Sequence, residues 1–152
     1  MIVMNKHTVW MVAVALAIGG GARAQAPEAM KGIVGSYLSI QSKLAADTVE
    51  GVKPAAQAIG QEAARMGAGG EAIVKSAKAV EAAADLKAAR LAFGDLSDAV
   101  IAAGKAGGWK DAPEVKLAYC PMVRKYWVQK EAEIRNPYYG KSMLTCGEFR
   151  DK

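Results

Sequence analysis

Between Pro54 and Pro113 the chain contains no proline, and alanine dominates that stretch. Proline ends helices and alanine favours them most, so this span is constrained to helix before any motif is considered. Apolar residues recur at helical spacing on both sides of Pro54. Ile33, Tyr37, Ile40 and Leu44 follow i, i+4, i+7, i+11. Val52, Ala56, Ile59, Ala63 and Met66 repeat the rhythm, with Pro54 early enough for a first turn and Asp47 or Thr48 as the expected N-cap. Gly67-Ala68-Gly69-Gly70 is a stop and turn. Ile73, Ala77, Val80 and Ala84 form a third stripe. Asp85 can cap a fourth helix that turns Leu86, Ala89, Phe93, Leu96, Val100 and Ile101 inward and ends at Gly104, Gly107 and Gly108. Four amphipathic helices with short connections predict an all-α fold, an antiparallel four-helix bundle over residues 25–108.

Composition changes at Trp109. Residues 109–152 carry two Trp, four Tyr, three Pro and both cysteines of the 152-residue chain. They predict an irregular or short-stranded cap on the bundle, part of the same domain, because the length fits one core.

The N-terminus has the layout of a secretory leader. Residues 1–6 form a short n-region with Lys6, residues 9–18 are apolar, Gly19-Gly20-Gly21 breaks the run, and Ala22-Arg23-Ala24 places small residues at the cleavage positions. The apolar run is about half the ~20 residues that a membrane span needs. Residues 1–24 therefore read as a signal peptide cut after Ala24, with a periplasmic mature chain and no membrane span after cleavage. His7, the only histidine, leaves with the leader. Loss of the imidazole weakens every mechanism built on histidine: Ser-His-Asp triads, Cys-His dyads and most catalytic zinc sites. Losing Lys6 and Arg23 lowers the formal net charge from +5 to about +3. The basic residues are scattered, which gives no nucleic-acid stripe.

Chemistry concentrates in the last third. Cys120-Pro121-Met122 is answered by Met143-Leu144-Thr145-Cys146-Gly147. Thiolates and thioethers are soft donors, so Cys120, Met122, Met143 and Cys146 make a ligand set for Cu(I) or Ag(I). Two cysteines in an exported chain also suit a Cys120–Cys146 disulfide, which would stabilise the fold by roughly 3 kcal/mol through loop entropy. Pro121 forbids a helix through Cys120, and Cys120 and Met122 share a metal only if the chain turns there. Met143 and Cys146 fall on one side of a single helical turn. The turn signals Asn136-Pro137 and Tyr139-Gly140 can bring this segment back beside Cys120, which serves a bridge and a metal equally.

Elsewhere the chain offers little catalytic chemistry. Nucleotide-loop, zincin, serine-elbow and Cys-x-x-Cys patterns are absent from the sequence. Asp95/Asp98 and Glu131/Glu133 read as charged faces rather than acid–base pairs, and the protein is expected not to be an enzyme. Arg90 lies beside the inward face near Phe93 and Ser97. Either its stem packs while its head reaches water, or it anchors the C-terminal segment by pairing with a carboxylate or carbonyl. Trp109, Tyr119, Tyr126, Trp127, Tyr138 and Tyr139 read as packing on the end or side of the bundle, or as an aromatic surface that docks a protein.

Ala118-Tyr119-Cys120-Pro121-Met122, Tyr126-Trp127-Val128-Gln129 and the run from Glu133-Ile134-Arg135-Asn136-Pro137-Tyr138-Tyr139-Gly140 through Lys141-Ser142-Met143-Leu144-Thr145-Cys146-Gly147-Glu148 resemble a bacterial family, domain of unknown function number 3347. Its members occur alone or fused to periplasmic adaptor subunits of copper/silver efflux systems. Tyr37-Leu38, Asp85-Leu86, Arg90-Leu91-Ala92-Phe93 and Leu96-Ser97 fit the same pattern. The resemblance covers nearly all of the mature chain and is most specific over the last thirty residues. It implies a periplasmic helical domain in heavy-metal handling, with efflux adaptor components as partners and Cys120, Met122, Met143 and Cys146 as its soft residues. Family members often have a histidine where this chain has Tyr119, and others have histidines at the positions of Ala89 and Leu91. The set left to this chain is all sulfur.

Overall fold

The chain's helical stripes become four helices, seen in a computed structural model that describes residues 21–107 and 109–152, with side chains from Glu28 onward. Residues 1–20, which hold the n-region and apolar run of the expected leader, lie outside the described residues. Helix α1 spans Gly21–Ala45, α2 Val52–Ala64, α3 Glu71–Glu81 and α4 Leu86–Ala106. Each packs on its neighbours in sequence, and α1 also meets α4. The stripe residues Ile33, Tyr37, Ile40, Leu44, Ile59, Phe93, Leu96 and Val100 are completely buried. Ala84 is the exception in its stripe: α3 ends at Glu81, so Ala84 lies in an exposed connection.

The caps divide. Asp85 caps α4, its Oδ1 accepting the amide of Ala88 at 2.8 Å. Pro54 sits in the first turn of α2. Neither Asp47 nor Thr48 caps α2, which is preceded instead by Gly51 with no side-chain cap. Thr48 accepts the Glu50 amide within the connection, and Asp47, at φ 60°, turns its carboxylate away from α2.

The fold is not purely all-α, and the C-terminal segment is not only irregular. Strands β1 (Lys116–Cys120), β2 (Lys125–Gln129) and β3 (Glu148–Arg150) form an antiparallel sheet in the order β2-β1-β3. Leu-Ala-Tyr-Cys and Tyr-Trp-Val-Gln are aromatic- and apolar-rich runs that suit a pleated, half-buried surface, and residues 121–124 supply the turn. Pairing of Leu117 with Val128 and of Tyr119 with Tyr126 puts these four on one face; Ala118, Cys120, Trp127 and Gln129 take the other. Both faces are covered: Leu117 and Val128 are buried, and so are Ala118, Cys120, Trp127 and Gln129.

One hydrophobic core runs through helices and sheet. Its bridge is aromatic. Tyr37 of α1 stacks on Phe93 of α4 at 4.8 Å between centroids, Phe93 meets Tyr138 at 6.0 Å, and Tyr138 meets Trp127 of β2 edge-on at 5.9 Å. Buried hydroxyls are satisfied: Tyr37 shares a 2.6 Å hydrogen bond with Ser97, and Tyr138 donates to the Tyr126 carbonyl at 2.5 Å. Burial holds both phenols protonated well above their ordinary range. The aromatic residues therefore divide. Trp109, Trp127 and Tyr138 are core, whereas Tyr119 and Tyr126 pair at 4.6 Å on the sheet, with Tyr126 exposed.

Candidate metal centre

Three buried side-chain amides shape the chain between β2 and Cys146. Gln129 accepts hydrogen bonds from the Trp127 indole and the Arg135 amide, and donates to the carbonyls of Glu131 and Glu133. It thereby folds residues 130–135 back over the end of β2. Gln41 of α1 holds the same loop by donating to the Arg135 carbonyl at 2.7 Å. Asn136, completely buried, does the equivalent for the next stretch. Its Oδ1 accepts the amides of Tyr138 and Tyr139, its backbone amide donates to the Leu144 carbonyl at 2.7 Å, and its Nδ2 donates to the Cys146 carbonyl at 2.7 Å. Such fully satisfied buried polar groups fix one backbone path, because any other path strands them without partners.

Arg90 completes the frame. Its Nε donates to the Pro137 carbonyl at 2.9 Å and its Nη2 to the Leu44 carbonyl at 2.8 Å and the Asp47 carboxylate at 2.5 Å. The anchoring role, one of two readings open in the sequence, is the one it plays. Asp47 also accepts the Lys141 amide. The Arg90 hydrogen bond holds the Asp47 carboxyl below its ordinary pKa. Between them passes Gly140, at φ 57°, where a Cβ would stand 1.9 Å from Asp47 Oδ1. Only glycine fits there.

This frame delivers Cys146 to Cys120. The two Sγ atoms stand 3.7 Å apart across a sequence separation of 26 residues. Cys120 ends the central strand and is completely buried; Cys146 is half-buried and precedes β3. Gly147 makes the approach possible. At φ 145° its missing side chain lets the chain lie on the Trp127 ring, where a Cβ would be 2.7 Å from Cη2. Both cysteines are thiols, so the disulfide of the sequence reading is not formed here.

Lys125, the cross-strand neighbour of Cys120, places its amine 2.6 Å from Asp98 and 3.2 Å from Asp95. Those carboxylates raise its pKa, and both are its ion-pair partners. Burial, followed by the hydrogen bond with Cys120, pushes the Cys146 thiol up from 9.0. A nucleophilic catalytic cysteine needs the opposite shift.

The two methionines are placed by turns on either side. Residues 121–124 form the β1–β2 turn, closed by Arg124 at φ 55°, and Met122 projects there at 61% exposure. Met143 ends the short 3-10 helix Gly140–Met143 at 36% exposure, and the Cys146 amide donates to its carbonyl at 3.0 Å. The chain thus turns after Cys120 and again between Met143 and Cys146. The structure brings the two cysteine sulfurs together and leaves both thioethers at the surface. Among the described residues no group of three or more His, Cys, Asp or Glu is placed to hold a metal.

A fit test can be made on the sulfurs. Two thiolates that share an ion through bonds of about 2.3 Å lie no more than ~4.6 Å apart. The 3.7 Å separation satisfies that limit. Half-exposed Cys146 gives the pair an opening, and buried Cys120 excludes bulk water from the other side.

A second feature lies across α4. Leu86, Ala88, Leu91, Gly94, Val123 and Tyr138 line an apolar groove of about 720 Å³. Leu91 stands on its lip at 78% exposure. On its rim Arg90 pairs with Asp47 and Lys125 with Asp95 and Asp98, and Lys87 also lines it.

No family model, curated protein or solved structure matches the chain. No helix among the described residues is long and apolar enough to cross a membrane.

Proposed function

We propose that this protein is a non-enzymatic binder of a soft monovalent metal, Cu(I) or Ag(I), held by Cys120 and Cys146 with Met122 and Met143 as supplementary thioether ligands. The observation that carries the reading is the 3.7 Å contact between two cysteine sulfurs brought together by a dedicated hydrogen-bonded frame. Soft sulfur donors select soft ions. Binding displaces the thiol protons, so affinity rises with pH. The chain's residues bind and shield the ion; nothing in the reading asks them to move a substrate proton.

The leader layout of residues 1–24 supports a periplasmic location, and the resemblance of residues 118–148 to a domain of unknown function found alone or fused to copper/silver efflux adaptors supports an accessory role beside such components. Competition titration of the reduced protein with Cu(I) against a colorimetric chelator tests the reading. One equivalent should be withdrawn from the chelator. Met122→Leu with Met143→Leu should weaken binding while leaving the circular dichroism spectrum unchanged. Failure of the reduced wild-type protein to compete would overturn the proposal.

A further inference from the structure

We propose that Cys120 and Cys146 are a reversible dithiol–disulfide pair, and that closing the bridge shuts the metal site. The inference rests on the metal reading for what the switch controls. The pairing itself rests on geometry. The sulfurs already touch at 3.7 Å, and a disulfide needs only that this gap close to about 2.05 Å. The backbone on both sides is fixed: Cys120 in the central strand, Cys146 by the Asn136 bond to its carbonyl and by its own amide bond to Met143. The thiols therefore meet each other more readily than they meet a third thiol.

Exposure assigns the order of events. Cys146 is half-buried and open to solvent on one side, whereas Cys120 is completely buried. The oxidant is a disulfide, small-molecule or protein. Cys146 loses its proton to water and its thiolate attacks one sulfur of that disulfide. The oxidant's S–S bond breaks, and one half leaves as a thiolate. Cys120 then loses its proton and attacks Cys146 Sγ, expelling the second half. Two electrons pass to the oxidant, two protons pass to water, and a Cys120–Cys146 bond replaces the oxidant's own. The product has no thiolate and therefore no strong soft ligand, leaving only Met122 and Met143.

The test equilibrates the full protein in buffers of graded reduced and oxidised glutathione, acid-quenches it, and reads masses alongside Cu(I) competition. Wild type should pass in one step from dithiol to internal disulfide, reversibly, with loss of Cu(I) competition on the same step. Cys120→Ala should accumulate a glutathione adduct at Cys146, and Cys146→Ala should stay unmodified because Cys120 is buried. Accumulation of glutathione adducts on wild type without ring closure would overturn the pairing. Unchanged Cu(I) competition after closure would overturn the gate. A disulfide that forms normally in a protein whose reduced form never competed for Cu(I) would overturn the gate through the metal reading, and the intact redox transition would show where the failure lies.

Discussion

Arg90 on α4 reaches across to Asp47 in the connection after α1, with Nη2 and Oδ1 2.5 Å apart, and the same guanidinium holds the Pro137 carbonyl. One side chain thus ties two helices to the loop that carries Cys146. Arg90→Ala leaves the carbonyls of Pro137 and Leu44 without their charged donor, and the protein should lose about 2–3 kcal/mol. Arg90→Lys keeps the charge but not the fork, and should fall between wild type and alanine. Urea unfolding followed by tryptophan fluorescence measures both; a loss below about 0.5 kcal/mol for Arg90→Ala would remove Arg90 from the frame.

Asp47 gives the frame an acid limb. Its pKa is lowered in the fold, chiefly by the Arg90 hydrogen bond, from 3.8. A depressed carboxyl contributes stability that is complete above the unfolded value and is lost as pH falls through the folded one. Unfolding experiments at graded pH should show this contribution intact above pH 3.8 and declining below it. Asp47→Asn should flatten that part of the profile.

Asn136→Ala removes the side-chain bonds that Asn136 makes to the amides of Tyr138 and Tyr139 and to the Cys146 carbonyl. Burial makes the stranded backbone groups costly, at about 1–3 kcal/mol. The sulfurs should also separate, so Cu(I) affinity should fall while far-ultraviolet circular dichroism still reports the four helices. Unchanged affinity in a destabilised variant would mean that the pair does not depend on this clamp.

Cys146 should alkylate as an unactivated thiol. Burial and the Cys120 hydrogen bond raise it above 9.0, so its iodoacetamide rate should reach half-maximum above pH 9.0. Cys120→Ala removes the second cause and should move the midpoint down. A midpoint near neutrality would point to an activating group and revive redox catalysis.

Much of the helical half was legible because alanine-rich helices announce themselves by period. Ile33, Tyr37, Ile40 and Leu44 sit where a 3.6-residue repeat puts them, and Asp85 caps α4 as its position promised. Asp47 misled because a cap residue at a helix-to-helix turn can spend its carboxylate on a distant cation instead. The sheet was legible only as short strands in an irregular cap. Two five-residue strands and a three-residue one give little alternation, and Cys120-Pro121 breaks the pattern at the turn. The approach of Cys120 and Cys146 followed from the turn signals at Asn136-Pro137 and Tyr139-Gly140. Gln41, Gln129 and Asn136, which fix that approach, carry no local signature. A glutamine or asparagine looks like surface until tertiary contacts bury it.

The central claim is that two cysteine sulfurs hold a soft metal, and X-ray absorption at the copper edge addresses it directly. Reduced protein loaded with one equivalent of Cu(I) should show a first shell of sulfur alone, at about 2.3 Å. The Cys120→Ala, Cys146→Ala double variant, checked for its fold by circular dichroism, should lose that shell. A nitrogen or oxygen shell in the wild type, or the same sulfur shell in the double variant, would contradict the account.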